Sequence, residues 1–475
     1  MTAELDPPAS SVAGSRARGG FDAVVGNPPF LGGKRVSTVL GAPYRDWLAT
    51  TGASSNADLV THFLRGAFER LRPSGALGLV ATNTIAQGDT RAAGLGFVLA
   101  RGGAVFEATR RYRWPGSASV VVSLVHVQRP PVTARGATLD GRRVDRVSAF
   151  LFHLGGDADP HRLPENAGKA FIGCFLRGMG FTFDDDDPSA TPLAEADRIA
   201  TLRPESAEKI RPYLGGEELN ASPDQAPTRK VIHFGQISLE EARRHPELVA
   251  IVEAKVRPER ARLGDSPVDR AHKERWWRFA NDRPELVQAT RGLERMLVTA
   301  RVSRTLAFAF VPTRVVPSDQ LVVFAFDRAA ALAVLQSRVH EIWARHFSST
   351  FGDGLRYTPS DCFETFPCPR GWQRDAELEA AGARYDAARA SLMRRDGVGL
   401  TALYNRFHDA AAQEEALDEL RALHDALDRA VLRAFGFAEA APEPAFFPDD
   451  ARRPGATRLR WSDDARDEVL ARLFA

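Results

Sequence analysis

Over residues 21–128 the apolar positions alternate between short runs and helical stripes. Phe21-Asp22-Ala23-Val24-Val25-Gly26 predicts a short buried strand that ends in a loop. Residues 57–72 predict a helix: Leu59, Phe63, Ala67 and Leu71 fall at helical spacing, Asn56 is a candidate N-cap, and Pro73-Ser74-Gly75 ends it. Ala76–Thr82 reads as a second buried strand, a helix is expected near 90–101, and two strand-like runs follow at 103–109 and 119–127. This alternation predicts a parallel sheet covered by helices.

Beyond residue 130 the pattern changes. Short strands and turns mix over 130–230, where Asp184–Asp187 form an acidic run. Residues 238–295 read as mostly helical, 296–330 as strands, and 330–347 as helix. Pro and Gly cluster over 352–373. The tail from about 374 to 437 reads as helical: Leu417, Leu420, His424, Leu427 and Val431 line one face, and Gly436 stands where a C′ glycine belongs. No internal repeat is found.

Composition narrows the class. The 475 residues allow two or three domains, and 44% hydrophobic with 26% charged residues is a globular balance. No apolar run reaches the roughly 18 residues of a membrane span, and the N-terminus lacks the apolar core of a secretory signal. Cys174, Cys362 and Cys368 cannot form a disulfide framework, so a reducing cytoplasm is expected. Net charge is +2, and only six of 63 basic residues are Lys. Arginine richness therefore reads as coding bias and says little about a polyanion partner.

The sharpest motif is Asn27-Pro28-Pro29-Phe30, directly after the first strand. Parallel sheets place ligands at such strand ends. The two prolines fix the backbone and remove two donors. The Asn27 carboxamide oxygen and the Pro28 carbonyl are acceptors, and an aromatic face follows. Two acceptors beside a flat apolar face suit an exocyclic amine on a planar heterocycle. Asp6-Pro7-Pro8-Ala9 shares the short core but has neither strand nor aromatic, and reads as a linker.

The arrangement resembles motif IV of the amino-methyltransferases, Asp/Asn/Ser-Pro-Pro-Tyr/Phe. The rest of the chain resembles the C-terminal portion of the fused type II (IIG/IIL-like) restriction–modification N6-adenine methyltransferases. The matching stretches, in order, include 81–91, 113–120, 163–171, 178–181, 211–220, 256–260, 275–280, 356–369, 399–409 and 420–431. The resemblance implies that Asn27 and the Pro28 carbonyl accept hydrogen bonds from the N6 amine of an adenine flipped out of double-stranded DNA, with Pro29 holding the turn and Phe30 stacked on the base. The methyl donor would be S-adenosylmethionine. The implied fold is α/β: a partial Rossmann-like methyltransferase sheet lacking its first strands, then an α+β target-recognition region and a helical tail. The expected divisions are a disordered leader over 1–20, a catalytic domain over 21–130, target recognition over 131–370 and a helical region over 371–475.

One departure from that family bears on activity. The cofactor-binding glycine loop should precede the Asn-Pro-Pro strand, and none is present there. The chain alone is thus expected to bind S-adenosylmethionine poorly, to expose a sheet edge, and to need its cofactor half from a longer protein or a separate chain. The alternative is a non-catalytic DNA-recognition module or a decayed fragment. Gly178-Met179-Gly180, the candidate for a permuted cofactor loop, reads as a turn. Glu253-Ala-Lys255 imitates a nuclease strand, yet Leu248, Ile251, Val252 and Val256 keep helical spacing. His340-Glu341 has Ala344 where a zincin needs its second His, and the cysteines lack further ligands, so no metal site is expected. Arg275-Trp276-Trp277-Arg278-Phe279 reads equally as a DNA-gripping surface or as core aromatics beside exposed arginines.

Overall fold

The computed structural model describes residues 19–54, 56–114, 121–133, 135–351, 354–449 and 455–474. Most of the expected leader, the Asp6–Ala9 decoy and residues 115–120 lie outside them. The chain divides into two units, Met1–His161 with Asp467–Ala475, and Arg162–Arg466.

In the first unit, strands β1 (Phe21–Gly26), β2 (Leu71–Thr82), β3 (Ala104–Arg113), β4 (Val121–Gln128), β5 (Ala137–Leu139) and β6 (Arg142–Val144) form one sheet, ordered β1-β2-β4-β3-β5-β6. The pairs β1–β2 and β3–β5 are parallel, whereas β4 runs antiparallel to both β2 and β3. The expected all-parallel sheet is thus corrected to a mixed one. Apolar periodicity sets which residues are buried and is blind to strand direction. The strand expected to be buried, β1, is the sheet edge, with Val25 87% exposed.

Helices α1 (Gly33–Leu40) and α2 (Ala42–Ala49) follow the Asn-Pro-Pro turn, and α3 (Leu59–Arg70) packs on the sheet. The buried face of α3 is Leu59, Val60, Leu64 and Phe68, so Leu59 and, just past the helix, Leu71 of the expected stripe are buried while Phe63 is exposed. Each of these four burials in α3 stabilises by about 1.5–3 kcal/mol. The N-cap is Asp58 rather than Asn56, its carboxylate accepting from Val60 N at 3.1 Å. The helix stops at Arg70, and Pro73-Ser74-Gly75 form an irregularity within β2, with Ser74 at φ +61°. A helical run over 88–100, with a π-helical turn at Ala92–Gly96, covers the same core. Residues 467–475 return to this unit, where Asp467 pairs with Arg110 and Arg111 at 2.6 Å each.

The second unit holds strands β7 (Ala170–Ile172), β8 (Thr182–Phe183), β9 (Ile210–Leu214), β10 (Arg229–Ile232), β11 (Arg295–Ala300), β12 (Val302–Ser303), β13 (Phe308–Pro312), β14 (Val316–Pro317), β15 (Leu321–Phe324), β16 (Ser349–Phe351) and β17 (Gly354–Arg356). They make three small sheets, β14-β9-β10-β8, β13-β11-β15-β7 and β12-β17-β16. Helix α4 (Pro246–Lys255) buries Leu248, Val249 and Val252, so the Glu253–Lys255 segment is helix, as its spacing implied. Helices α5 (Ala329–Gln336) and α6 (Arg338–Phe347) are split at Ser337, which is extended (φ −62°, ψ 152°) and caps α6 through His340 N.

Three helices follow, α7 (Ala376–Asp396), α8 (Leu400–Phe407) and α9 (Glu415–Ala434), then a hairpin of β18 (Ala445–Pro448) and β19 (Thr457–Arg460). The expected face of α9 is buried throughout, and Gly436 takes φ +77° just past its end. Phe437 N donates to Leu432 O at 2.8 Å there, satisfying an orphan carbonyl. No helix among the described residues is long and apolar enough to cross a membrane.

Candidate functional site

The Asn27–Phe30 turn leaves β1 at the end where Gly26 pairs with Leu79, so it emerges beside the last residues of β2. This is the carboxyl end of a parallel pair, where backbone ends diverge and leave room for a ligand. Pro28 is buried, whereas Asn27, Pro29 and Phe30 are exposed. Phe30 shows 39% of its surface, a large amount for an aromatic with no partner ring. The Asn27 carboxamide makes no hydrogen bond among the described residues.

The turn is held from behind by Asp58. Leu31 N reaches the Asp58 carboxylate at 3.4 Å, and Leu59 N donates to Leu31 O at 2.9 Å. The same carboxylate caps α3. Asp58 N donates in turn to Thr90 Oγ1 at 3.0 Å, and Thr61 Oγ1 donates to Thr90 O at 3.2 Å. Gly33 lets α1 start against the 56–57 backbone: a Cβ there would stand 2.4 Å from the Asn56 carbonyl carbon. Beside the turn, Thr82 and Thr84 share a hydroxyl bond at 2.6 Å, and Ser123 Oγ donates to Asn83 Oδ1 at 3.1 Å. The result is a braced turn that exposes one amide, the Pro29 ring and one aromatic ring. On α1 and α2, Val39, Leu40, Tyr44 and Trp47 are also exposed.

Sequence reasoning missed Asp58 and helices α1 and α2. Asn56 and Asp58 are equally good caps by type. Thr90, distant in sequence, selects Asp58 by accepting its N–H.

The remaining candidates resolve into structural roles. Gly178-Met179-Gly180 is a 3₁₀ turn packed on Lys255 and Val256, with no helix opening from it. His340 is buried and satisfied, its ring nitrogens 2.9 Å from Leu335 O and 3.0 Å from Tyr357 Oη. Burial pushes its pKa down to about 4. Trp276, Trp277 and Phe279 belong to the hydrophobic core, and buried Arg260 ties their backbone down through the Arg275 and Arg278 carbonyls. The core reading of that segment therefore holds over the DNA-gripping one. The three thiols are pushed up to about 12, chiefly by burial. No group of three metal-ligating side chains stands together among the described residues.

The second unit contains a cavity of about 660 Å³ lined by six arginines, at 304, 338, 345, 458, 460 and 466. No sequence motif announces it, because its wall is gathered from segments more than a hundred residues apart.

Comparison with known proteins places these features. Residues 4–95 match the family model "Eco57I restriction-modification methylase", and residues 180–370 match "MmeI, target recognition domain". The chain is similar in fold to the structure of the type IIL restriction-modification enzyme MmeI in complex with DNA, at 19% identity and TM-score 0.54, covering 87% of this chain and 54% of that one. Weaker matches are the type IIG restriction endonuclease BpuSI (11% identity, TM-score 0.31, 88% and 54% coverage) and the DrdV–DNA complex (12%, 0.29, 98% and 57%). The chain thus spans little more than half the length of these solved structures. No curated protein matches it.

Proposed function

We propose that this chain is part of a site-specific DNA adenine N6-methyltransferase of a restriction–modification system, and that Asn27, Pro28 and Phe30 hold the target base. The observation that carries this reading is the exposed Asn27–Phe30 turn at the carboxyl end of a parallel strand pair, within the segment matching the methylase model. In this reading the Asn27 Oδ1 and the Pro28 carbonyl accept from the exocyclic amine. Pro29 rigidifies the turn, and Phe30 stacks on the flipped ring. Two acceptors aimed at one amine orient its lone pair, so this chain contributes positioning and electrostatics. Residues 21–130, with β5, β6 and the returning segment from Asp467 in the same unit, are then the catalytic part, and the target-recognition region and helical support follow within 131–370 and from 371.

The sheet of the first unit is read as a methyltransferase sheet without its first strands. An edge strand carrying an apolar residue as exposed as Val25 is what a further strand would cover. S-adenosylmethionine is the donor this reading requires. The described residues do not fit it: no glycine loop precedes β1 among them, and the glycine turn at 178–180 is packed against α4. The chain spans about half of the MmeI structure, and in this reading the residues that hold the donor lie outside the described ones.

That same lack of a cradle favours a second reading, a DNA-recognition module without catalysis. The two are separated by isolating the protein with whatever accompanies it from its host. The first reading expects adenine methyl transfer to duplex DNA that Asn27→Ala abolishes while DNA affinity stays within about twofold. Methyl transfer unaffected by Asn27→Ala would overturn the site. DNA binding with no transfer from any preparation would leave the module.

A further inference from the structure

The arginine-lined cavity is lined wholly by residues of the second unit. It lies among α6, α8, the turn after β12 and the β18–β19 hairpin. Among the described residues, its six arginines stand against four acids, Glu341 and Asp449 in the wall and Asp428 and Asp463 paired from behind it, an excess of two positive charges. The carboxylates are shared. Glu341 serves both Arg345 (2.8 Å) and Arg458 (2.5 Å), and Asp463 serves both Arg460 (3.0 Å) and Arg466 (3.1 Å). Arg338 is paired with buried Asp428 at 2.5 Å.

Two residues of the wall also keep a buried donor nitrogen without a hydrogen-bond partner among the described residues: Arg338 Nη2 and Trp461 Nε1. These residues are only 3% and 1% exposed. Buried donors are almost always satisfied, by protein, water or ligand. A wall that gathers six guanidinium groups while sharing out its carboxylates is short of acceptors.

We propose that this cavity binds a phosphate-bearing anion. Guanidinium forks match pairs of phosphoryl oxygens, and a phosphate offers more acceptor oxygens than a carboxylate, so several forks can converge on it. A volume of about 660 Å³ exceeds one phosphate ion. It suits either an oligophosphate or a nucleic-acid backbone phosphate with its sugars. Anion binding here is independent of methyl transfer at the Asn27 turn.

The test uses the full chain, with sodium pyrophosphate titrated at ionic strength held constant with chloride. Saturable binding is expected, accompanied by a shift of the Trp461 indole N–H resonance. The double variant Arg304→Gln/Arg458→Gln should weaken binding at least tenfold, whereas Arg198→Gln, an exposed arginine away from the cavity and paired with Glu195 one turn earlier in its own helix, should not. A duplex-DNA arm identifies the source. If the site takes a backbone phosphate, pyrophosphate displaces duplex and the double variant lowers duplex affinity about tenfold. If it takes a free oligophosphate, pyrophosphate binds and duplex affinity stays unchanged. Should the double variant unfold, Arg458→Lys and the wild-type resonance titration decide. Absence of saturable pyrophosphate binding together with unchanged duplex affinity, or a Trp461 resonance that follows ionic strength alone, would overturn the proposal and leave a water-filled cavity.

Discussion

Three histidines of the second unit, two of them buried and His233 half-buried, are held neutral, which makes its stability fall as the solution is acidified. Burial pushes His233 and His340 down to about 4. Burial, then the Arg458 guanidinium, hold His408 well below the usual range. In the unfolded chain each would take a proton near pH 6.5. Below that pH the unfolded state binds protons that the folded state refuses, so stability is lost as pH falls. One group opposes this. Burial raises the Asp282 carboxyl to about 6, so the folded state takes a proton there that the unfolded state does not take until lower pH. Near pH 5 these three histidines against one aspartate give about two protons, and His245 and His272, also held down by burial, add to it in the same sense. The linkage slope is then roughly 2.7 kcal/mol per pH unit. Urea denaturation of the full chain at half-unit steps from pH 7 to 5, with the second unit followed by tryptophan fluorescence, measures it. His233→Asn should lower the slope by about one proton. A stability independent of pH between 6 and 5, or a rise on acidification, would refute the reasoning.

Substitutions at two positions test the packing behind the candidate sites. Asp58→Ala removes the α3 cap and the tie to Leu31, at a cost of about 1 kcal/mol, whereas Asp58→Asn keeps an acceptor and should cost less. Amide exchange at Val60 and Leu31 should quicken several-fold in the alanine variant first, and equal effects of the two substitutions would contradict the assigned role. Asp428→Asn should cost about 3 kcal/mol in urea denaturation, because it strands the Arg338 guanidinium in a wall where both residues are at most 3% exposed. A loss below about 1 kcal/mol would mean that the pair is not buried as described.

The elements that local chemistry determines are legible in the sequence. The α9 stripe and its closing Gly436 follow from 3.6-residue periodicity and a left-handed cap, and the α4 helix from the spacing of Leu248, Val252 and Val256. What the pattern misses depends on distant partners. The apolar run of β1 looks the same in a sheet centre and at an edge, and nothing within β4 encodes its antiparallel direction. The interleaved Arg-Trp-Trp-Arg-Phe segment is ambiguous on its own, and buried Arg260, holding it from below, settles its place in the core. The Asn-Pro-Pro-Phe turn stands out because prolines, amide and ring are contiguous. The arginine cavity does not, since in a chain where nearly every basic residue is Arg, composition hides six that converge.

The most direct test of the central claim is N6-methyladenine mapping of genomic DNA from the source cell carrying either the wild-type allele or Asn27→Ala at the native locus. The account predicts one sequence motif methylated in the wild type and unmethylated in the variant, with protein levels equal. The same motif methylated in both would contradict it.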